Sequence, residues 1–295
     1  MISILIPVYN TDVTELVRDV YKQCELLDIA FEVVLVDDAS ELEIRNLNRA
    51  LSNIKYISYE ELPANKGRSK IRNYLVNKAR FDTLVFLDSD SQIMYNPSFI
   101  ETYLKHMESE IIVNGGRIYP NQITTDNTRL HHQYGSKKEC PSLAKRNAFP
   151  IRYFHSNNFM VKKTLIIDNP FPDMDTGYGY EDLAFATAVT KAGIEIKHIV
   201  NPVEHMGLIS ADQFLENIRS ANTNLLSFYY SGAITDTPLI KTYERLKTTG
   251  LIEPVNYVLN KLNRQLESNL RSNNPSLLCL DFYKLNDFIN QSMHQ

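Results

Sequence analysis

The sequence predicts an α/β protein with a mostly parallel sheet and helices on both faces, followed by a helical C-terminal appendage. Three observations carry this. Short β-branched runs alternate with helical patterns through the N-terminal third. Several of those runs end in acidic or amide residues rather than apolar ones. From about residue 210 the pattern becomes mostly helical.

Taken in order, "ISILIPV" reads as the first strand, and residues 12–28 as a helix whose start carries Asp12 with Glu15 three residues on, a capping signature. "FEVVLVD" is the second strand, and Ser40 is placed to cap a helix over 41–52. "IKYISY", a helix over 67–79 and the strand "TLVFLD" complete a βαβαβαβ series, which implies parallel strands joined by helical crossovers. "EIIVNGGRIY" reads as a further strand. The polar stretch from Pro120 to Pro150 is too long for an ordinary connection and predicts a lid, small local helices or disorder. "IEIKHIV" is strand-like, and "ADQFLENIRSANTNLLSFYY", "PLIKTYERLK" and "EPVNYVLNKLNRQLESNLRS" are helical. The expected division is a core over 1–209 and an appendage over 210–295.

Composition narrows the function. At 295 residues with 43% hydrophobic content the chain can bury a sizeable core. A net charge of -4 argues against a general polyanion binder, so no nucleic-acid partner is expected. Cys24, Cys140 and Cys279 are odd in number and scattered, which suggests neither a disulfide framework nor a zinc site and fits a reducing cytoplasm. The start "MISILIPVYNTD" lacks the basic region and cleavage site of a signal peptide, and no apolar run is long enough to span a bilayer.

The chemistry gathers at the strand ends, where open parallel sheets bind ligands. In "FLDSD" residues i and i+2 point to one side of an extended segment, so Asp88 and Asp90 converge and call for a positive group between them. A hard divalent cation, Mn2+ or Mg2+, suits such a pair; a plain turn is the other reading, since Asp and Ser are good turn formers. "IPVYN", with Pro7, Tyr9 and Asn10, lacks the G-x-G-x-x-G of dinucleotide binders, and its first residues read equally as strand and core. In "LVDDAS" Asp37 is assigned to orienting the turn and Asp38 to accepting the imide N–H of a uracil. "NKGRSKIRN" opens a helix with cations that oppose its dipole unless an anion lies near. Lys66 and Lys70 read as a solvated face, and Arg72 is placed to turn inward. In "DTGYGYED" the dipole favours Glu181 and Asp182 at a helix start, and one of them could be a general base. His205 in "NPVEHMG" reads as a structural histidine or a metal ligand.

Together and in this order, "IPVYN", "VDDAS", "NKGRSKIRN", "FLDSD", "GYGYED" and "EHMG" resemble the inverting family-two glycosyltransferases of the GT-A fold, over roughly residues 1–207. The resemblance implies a Rossmann-like GT-A core that binds a nucleotide-sugar, with Asp38 on the base and Arg72 on the nucleotide. It places Asp88 and Asp90 on ribose and metal, Asp90 being the firmer metal ligand, and gives His205 as a metal ligand in some members. Asp182 is then the base and Glu181 holds the acceptor. Asn157 and Asn158 stand where members often carry a small or Gly-containing turn, and the aromatic residue before the acid pair is Tyr180.

The function so implied is metal-dependent, inverting transfer of a hexosyl or N-acetylhexosaminyl group from a nucleotide-sugar, a UDP-sugar first, to a hydroxyl of a saccharide or glycolipid acceptor, as in polysaccharide biosynthesis. The expected location is cytoplasmic, with peripheral attachment at the inner face of the membrane left open. Two other readings remain: a Mg2+-dependent phosphohydrolase using D-x-D, although such proteins carry it on their first strand, and a non-catalytic nucleotide-sugar binder.

Overall fold

A computed structural model describes every residue except 94, 108–109, 123–124, 175–176 and 295. The elements follow in chain order: β1 (Ile2–Val8), α1 (Thr14–Leu26), β2 (Phe31–Asp37), α2 (Leu42–Arg49), β3 (Ile57–Glu61), α3 (Arg68–Lys78), β4 (Thr83–Leu87), β5 (Ser91–Gln92) and α4 (Phe99–Leu104). Then come β6 (Ile112–Asn114), β7 (Arg117–Ile118), α5 (Arg129–Tyr134), α6 (Leu143–Ala148), β8 (Asn158–Lys162), α7 (Lys163–Asp168), α8 (Glu181–Lys191), β9 (Ile196–His198) and β10 (Val203–His205). Four helices complete the described chain: α9 (Ala211–Tyr230), α10 (Pro238–Thr248), α11 (Ile252–Leu270) and α12 (Leu277–Met293).

A seven-stranded sheet runs β3-β2-β1-β4-β8-β6-β9. The β1–β2, β1–β4, β2–β3 and β6–β9 pairs are parallel, whereas β8 runs antiparallel to both β4 and β6. The sheet is therefore mostly parallel, as the strand and helix alternation predicts. Its central strands β1, β2 and β4 are mostly apolar and buried because both faces are covered, whereas edge strand β3 ends in Glu60 and Glu61. Ile4, Ile6, Val33 and Leu35 pack with Val17 and Val20 of α1, while Leu5, Val34 and Val36 pack with Ile71 and Leu75 of α3 and with Phe185 of α8. Successive residues alternate between the two cores, the period of two that a pleated strand imposes.

The chain divides into two compact units. One comprises residues 1–120, 140–173 and 185–207 and holds both sheets. The other comprises 121–139, 174–184 and 208–295, so the helices after residue 207 are grouped with two earlier segments. Its interior is helical: Leu225, Leu226 and Phe288 form one cluster, and Leu130, Phe214, Leu215, Leu270 and Leu280 another. Among the described residues no helix is long and apolar enough to cross a membrane.

Local details depart from the sequence reading. Asp12 does not cap α1 through a box with Glu15. Its carboxylate accepts the Thr14 N–H at 2.9 Å, and the residue before the helix is Val13. Ser40 does not cap α2 either; its hydroxyl accepts the Asn10 N–H at 2.8 Å, and the Asn10 side chain takes the Glu41 N–H. "EIIVNGGRIY" is not one strand. Gly115 and Gly116 break it into β6 in the large sheet and β7 in a second sheet ordered β5-β10-β7. A Cβ at Gly115 would lie 2.3 Å from the Asn201 carbonyl oxygen, and Gly116 has φ +86. Between Pro120 and Pro150 the described residues include the short helices α5 and α6.

Candidate active site

β4 delivers Asp88 and Asp90 just past its end, and each has its own partner. Arg72 of α3, 2% exposed, donates from Nη2 to Asp88 Oδ1 at 2.5 Å. His205 at the end of β10 places Nδ1 3.3 Å from Asp90 Oδ1. Burial raises the Asp90 carboxyl, but His205 beside it and the more distant Arg68 and Arg117 outweigh burial and hold it well below the usual carboxylate range. The small sheet sets this pair, since His205 lies opposite Ser91 on antiparallel β5 and the Met206 N–H donates to the Asp90 carbonyl at 2.8 Å. Gly207 has no room for a side chain there: its Cβ would stand 2.2 Å from Asp90 Oδ2.

The ends of β1 and β2 form a second cluster in the same unit. Pro7 lies beyond the last β1 residue in register with β4, Leu5 opposite Phe86, so its missing N–H does not interrupt that ladder. Tyr9 is 53% exposed. Asn10 and Ala39 have φ of 49 and 67, and such positive values in non-glycine residues mark a constrained backbone. Asp37 orients the turn, accepting the Ser40 N–H at 2.7 Å and the Tyr59 hydroxyl at 2.9 Å. Asp38, 4% exposed, accepts the N–H groups of Lys66 at 2.6 Å and Gly67 at 3.0 Å and thereby holds the loop that opens α3. Burial pushes its carboxyl up more than those two N–H groups pull it down. Both carboxylate oxygens keep a further lone pair.

Glu181 and Asp182 belong to the helical unit. Asp175 and Thr176, which begin "DTGYGYED", lie outside the described residues. Gly179 and Tyr180 have φ of +97 and 67, and the Gly179 N–H donates to Glu181 Oε2 at 3.1 Å. From α9, Asn224 donates to the carbonyls of Tyr178 at 2.9 Å and Gly179 at 3.2 Å, and a Cβ on Gly179 would meet that of Ala221 at 2.4 Å. Glu181 is thus buried in its own turn, while Asp182 is half-buried at the start of α8. Nearby in this unit the Lys284 ammonium stands 4.2 Å from the centroid of the Tyr134 ring. Burial lowers the Lys284 pKa and pushes the Tyr180 hydroxyl up to about 12.

The residues present accommodate a divalent cation only sparingly. Among the described residues no group of three or more His, Cys, Asp and Glu could hold one. Asp88 Oδ1 is taken by Arg72, which leaves Asp90 and His205 as adjacent ligands. Two protein ligands suffice for Mg2+ or Mn2+, which usually take their other positions from water and substrate phosphate. Asp90 Oδ1 is buried with His205 Nδ1 3.3 Å away and short of hydrogen-bond geometry, an arrangement that a cation held by both side chains would suit. Sequence reasoning missed Arg68, Arg117 and Gly207, which act on Asp90 from three separate segments; the Gly in "EHMG" was the one visible signal.

The glycosyl transferase family 2 profile matches residues 3–169. An uncharacterized glycosyltransferase of Haemophilus influenzae is 31% identical over 100 residues, which are 32% of this chain and 37% of that protein. The matched part thus spans little more than a third of that relative. The fold is shared with a mannosyltransferase from Pyrobaculum calidifontis solved with GDP-Man and Mn2+, at 14% identity and TM-score 0.58 over 99% of this chain and 86% of that one. It is shared also with glucosyl-3-phosphoglycerate synthase from Mycobacterium tuberculosis solved with Mn2+, UDP and glucosyl-3-phosphoglycerate, at 18% identity and TM-score 0.53 over 77% and 79%. At these identities the likeness is one of fold, the GT-A fold. With a profile match over more than half its length, an acid-ended β4 and a mostly parallel sheet, the chain belongs to glycosyl transferase family 2.

Proposed function

We propose that the protein transfers a sugar from a nucleotide-sugar, a UDP-sugar in the first instance, to a hydroxyl of a saccharide or glycolipid acceptor. The observation that carries this is the paired set at the end of β4, Arg72 on Asp88 and His205 on Asp90. It joins two acids to two cationic or metal-binding groups where a parallel sheet collects its ligands. Asp38 takes the imide N–H of the base on its remaining lone pairs, with Pro7, Tyr9 and Asn10 lining the same strand ends. Asp90 and His205 would hold Mn2+ or Mg2+, and a cation there would supply charge stabilisation to the departing diphosphate. Arg72, neutralised by Asp88 until donor binds, adds positive charge on the nucleotide side.

Asp182 is the base that removes the acceptor proton, and Glu181 shapes its turn. A single base with no enzyme nucleophile implies inversion at the anomeric carbon. The grouping of 121–139 and 208–295 with the acid pair supports the helical unit as the acceptor side. Cytoplasmic action, with peripheral membrane attachment for a lipid-linked acceptor, belongs to the same reading.

Melting temperature measured against UDP, GDP, UDP-glucose, UDP-N-acetylglucosamine and GDP-mannose, each with and without Mn2+, tests it. A ligand of the folded state raises the midpoint by linkage. Stabilisation by one nucleotide class that requires Mn2+ is expected; no stabilisation by any of them overturns the reading.

A further inference from the structure

The chain carries two adjacent buried asparagines at the start of β8, and the fold treats them differently. Asn158 is fully employed: its Nδ2 donates to the carbonyls of Gly116 at 2.8 Å and Asn201 at 2.7 Å, and its Oδ1 accepts the Tyr103 hydroxyl at 2.6 Å. Asn157 is 2% exposed, yet neither its Nδ2 nor its Oδ1 has a hydrogen-bond partner. Buried amides are almost always satisfied, so a wholly unsatisfied one calls for a reason.

Its position supplies the reason. Leu87 and Asn158 are directly opposite in the antiparallel β4–β8 pair, and the Asp88 N–H donates to the Asn157 carbonyl at 3.0 Å, which makes Asp88 and Asn157 the next opposite pair. Opposite residues of an antiparallel pair project to the same face with Cβ atoms about 5 Å apart. The orphaned Asn157 side chain therefore starts from the backbone position facing Asp88, the acid that Arg72 pairs, and Arg72 Nε and Ser69 Oγ on α3 are likewise buried without hydrogen bonds. An unsatisfied amide facing an acid that is already paired with Arg72 marks a place built for a polar ligand rather than for the fold.

We propose that Asn157 is a specificity-determining residue that reads the sugar of the nucleotide-sugar donor. The inference rests on the function proposed above. A carboxamide offers one edge that donates and one that accepts. A sugar hydroxyl does both, and neighbouring hydroxyls or a hydroxyl beside an N-acetyl group match the two edges together. The base, nucleotide and ribose are already assigned to Asp38, Arg72 and Asp88, so the carboxamide facing Asp88 is left for the sugar that follows. Since Asn157 makes no side-chain hydrogen bond in the fold, its replacement removes none, and the near-isosteric Leu keeps most of its volume.

The test is calorimetric titration of parent, Asn157→Ala and the near-isosteric Asn157→Leu in Mn2+, with UDP and GDP as sugar-free probes and UDP-glucose, UDP-N-acetylglucosamine and GDP-mannose as intact donors. Both variants should melt at or above the parent temperature and bind the matching free nucleotide as the parent does. Their affinity for the intact donor should fall about tenfold, the worth of one lost hydrogen bond or two. Equal loss for free nucleotide and intact donor, unchanged affinity for the donor, or a melting temperature lowered in both variants overturns the assignment. Failure of the parent itself to bind any of the probes overturns the proposed function instead.

Discussion

The two acids after β4 are separated by what each one touches. Asp88 is neutralised by Arg72 across 2.5 Å, while Asp90 faces His205 at 3.3 Å without a hydrogen bond at its buried Oδ1. Like charges one residue apart demand a cation, and the sequence shows that demand. It does not show that Arg72 would answer for one acid and His205 for the other, because those partners come from a helix and a distant short strand. Asp38 is similar: its type and place are legible, but its use of both oxygens on the Lys66 and Gly67 N–H groups depends on where the loop before α3 returns. Gly207 makes the residue-scale prediction. Its Cβ would fall 2.2 Å from Asp90 Oδ2, so Gly207→Ala must displace the carboxylate. Mn2+-dependent nucleotide affinity should fall at least tenfold with an unchanged circular dichroism spectrum; parent-like affinity by calorimetry would show that the carboxylate position does not matter.

Among the elements, α9 and α12 do specific work. Asn224 of α9 clamps the Tyr178 and Gly179 carbonyls and so holds the left-handed turn ahead of Glu181 and Asp182. Asn224→Ala should lower turnover about tenfold or more while donor affinity in the other unit stays at the parent value. Steady-state rates and titrations on one preparation check it, and loss of donor affinity would contradict it. On α12, burial pushes the Asp287 carboxyl up more than the Asn222 and Gln291 amides that donate to it pull it down. A carboxyl raised by folding favours the fold at low pH and weakens it as pH rises through the shifted value. Asp287→Asn keeps an acceptor for both amides. It should raise the melting temperature at pH 7 and bring no gain near pH 3, as thermal melts at the two pH values would show. The long elements were legible because their periodicity is sustained: alternation gave the parallel strands, and 3.6-residue spacing gave α9 and α11. β5, β7 and β10 have two or three residues each, too few for any period to register, yet they fix His205 against Asp90.

For the whole molecule, the proposed donor and base residues fall in different compact units of the chain. Residues 1–120 with 140–173 and 185–207 carry the acids and cations of the proposed donor site, and the helical unit carries the proposed base. The parallel α/β core was readable from the first ninety or so residues by the alternation of strand and helix. The recruitment of 121–139 and 174–184 to the helices after 207 was not, because it rests on long-range packing such as Leu130 against Phe214 and Leu215. The account stands on nucleotide-sugar binding through Asp90, and calorimetric titration of the donor that stabilises the parent, with Mn2+ present and absent, into parent and Asp90→Ala measures it most directly. The parent should bind only with Mn2+, and Asp90→Ala, with an intact fold, should show no Mn2+-dependent affinity; equal Mn2+-dependent affinity in the two proteins would contradict the account.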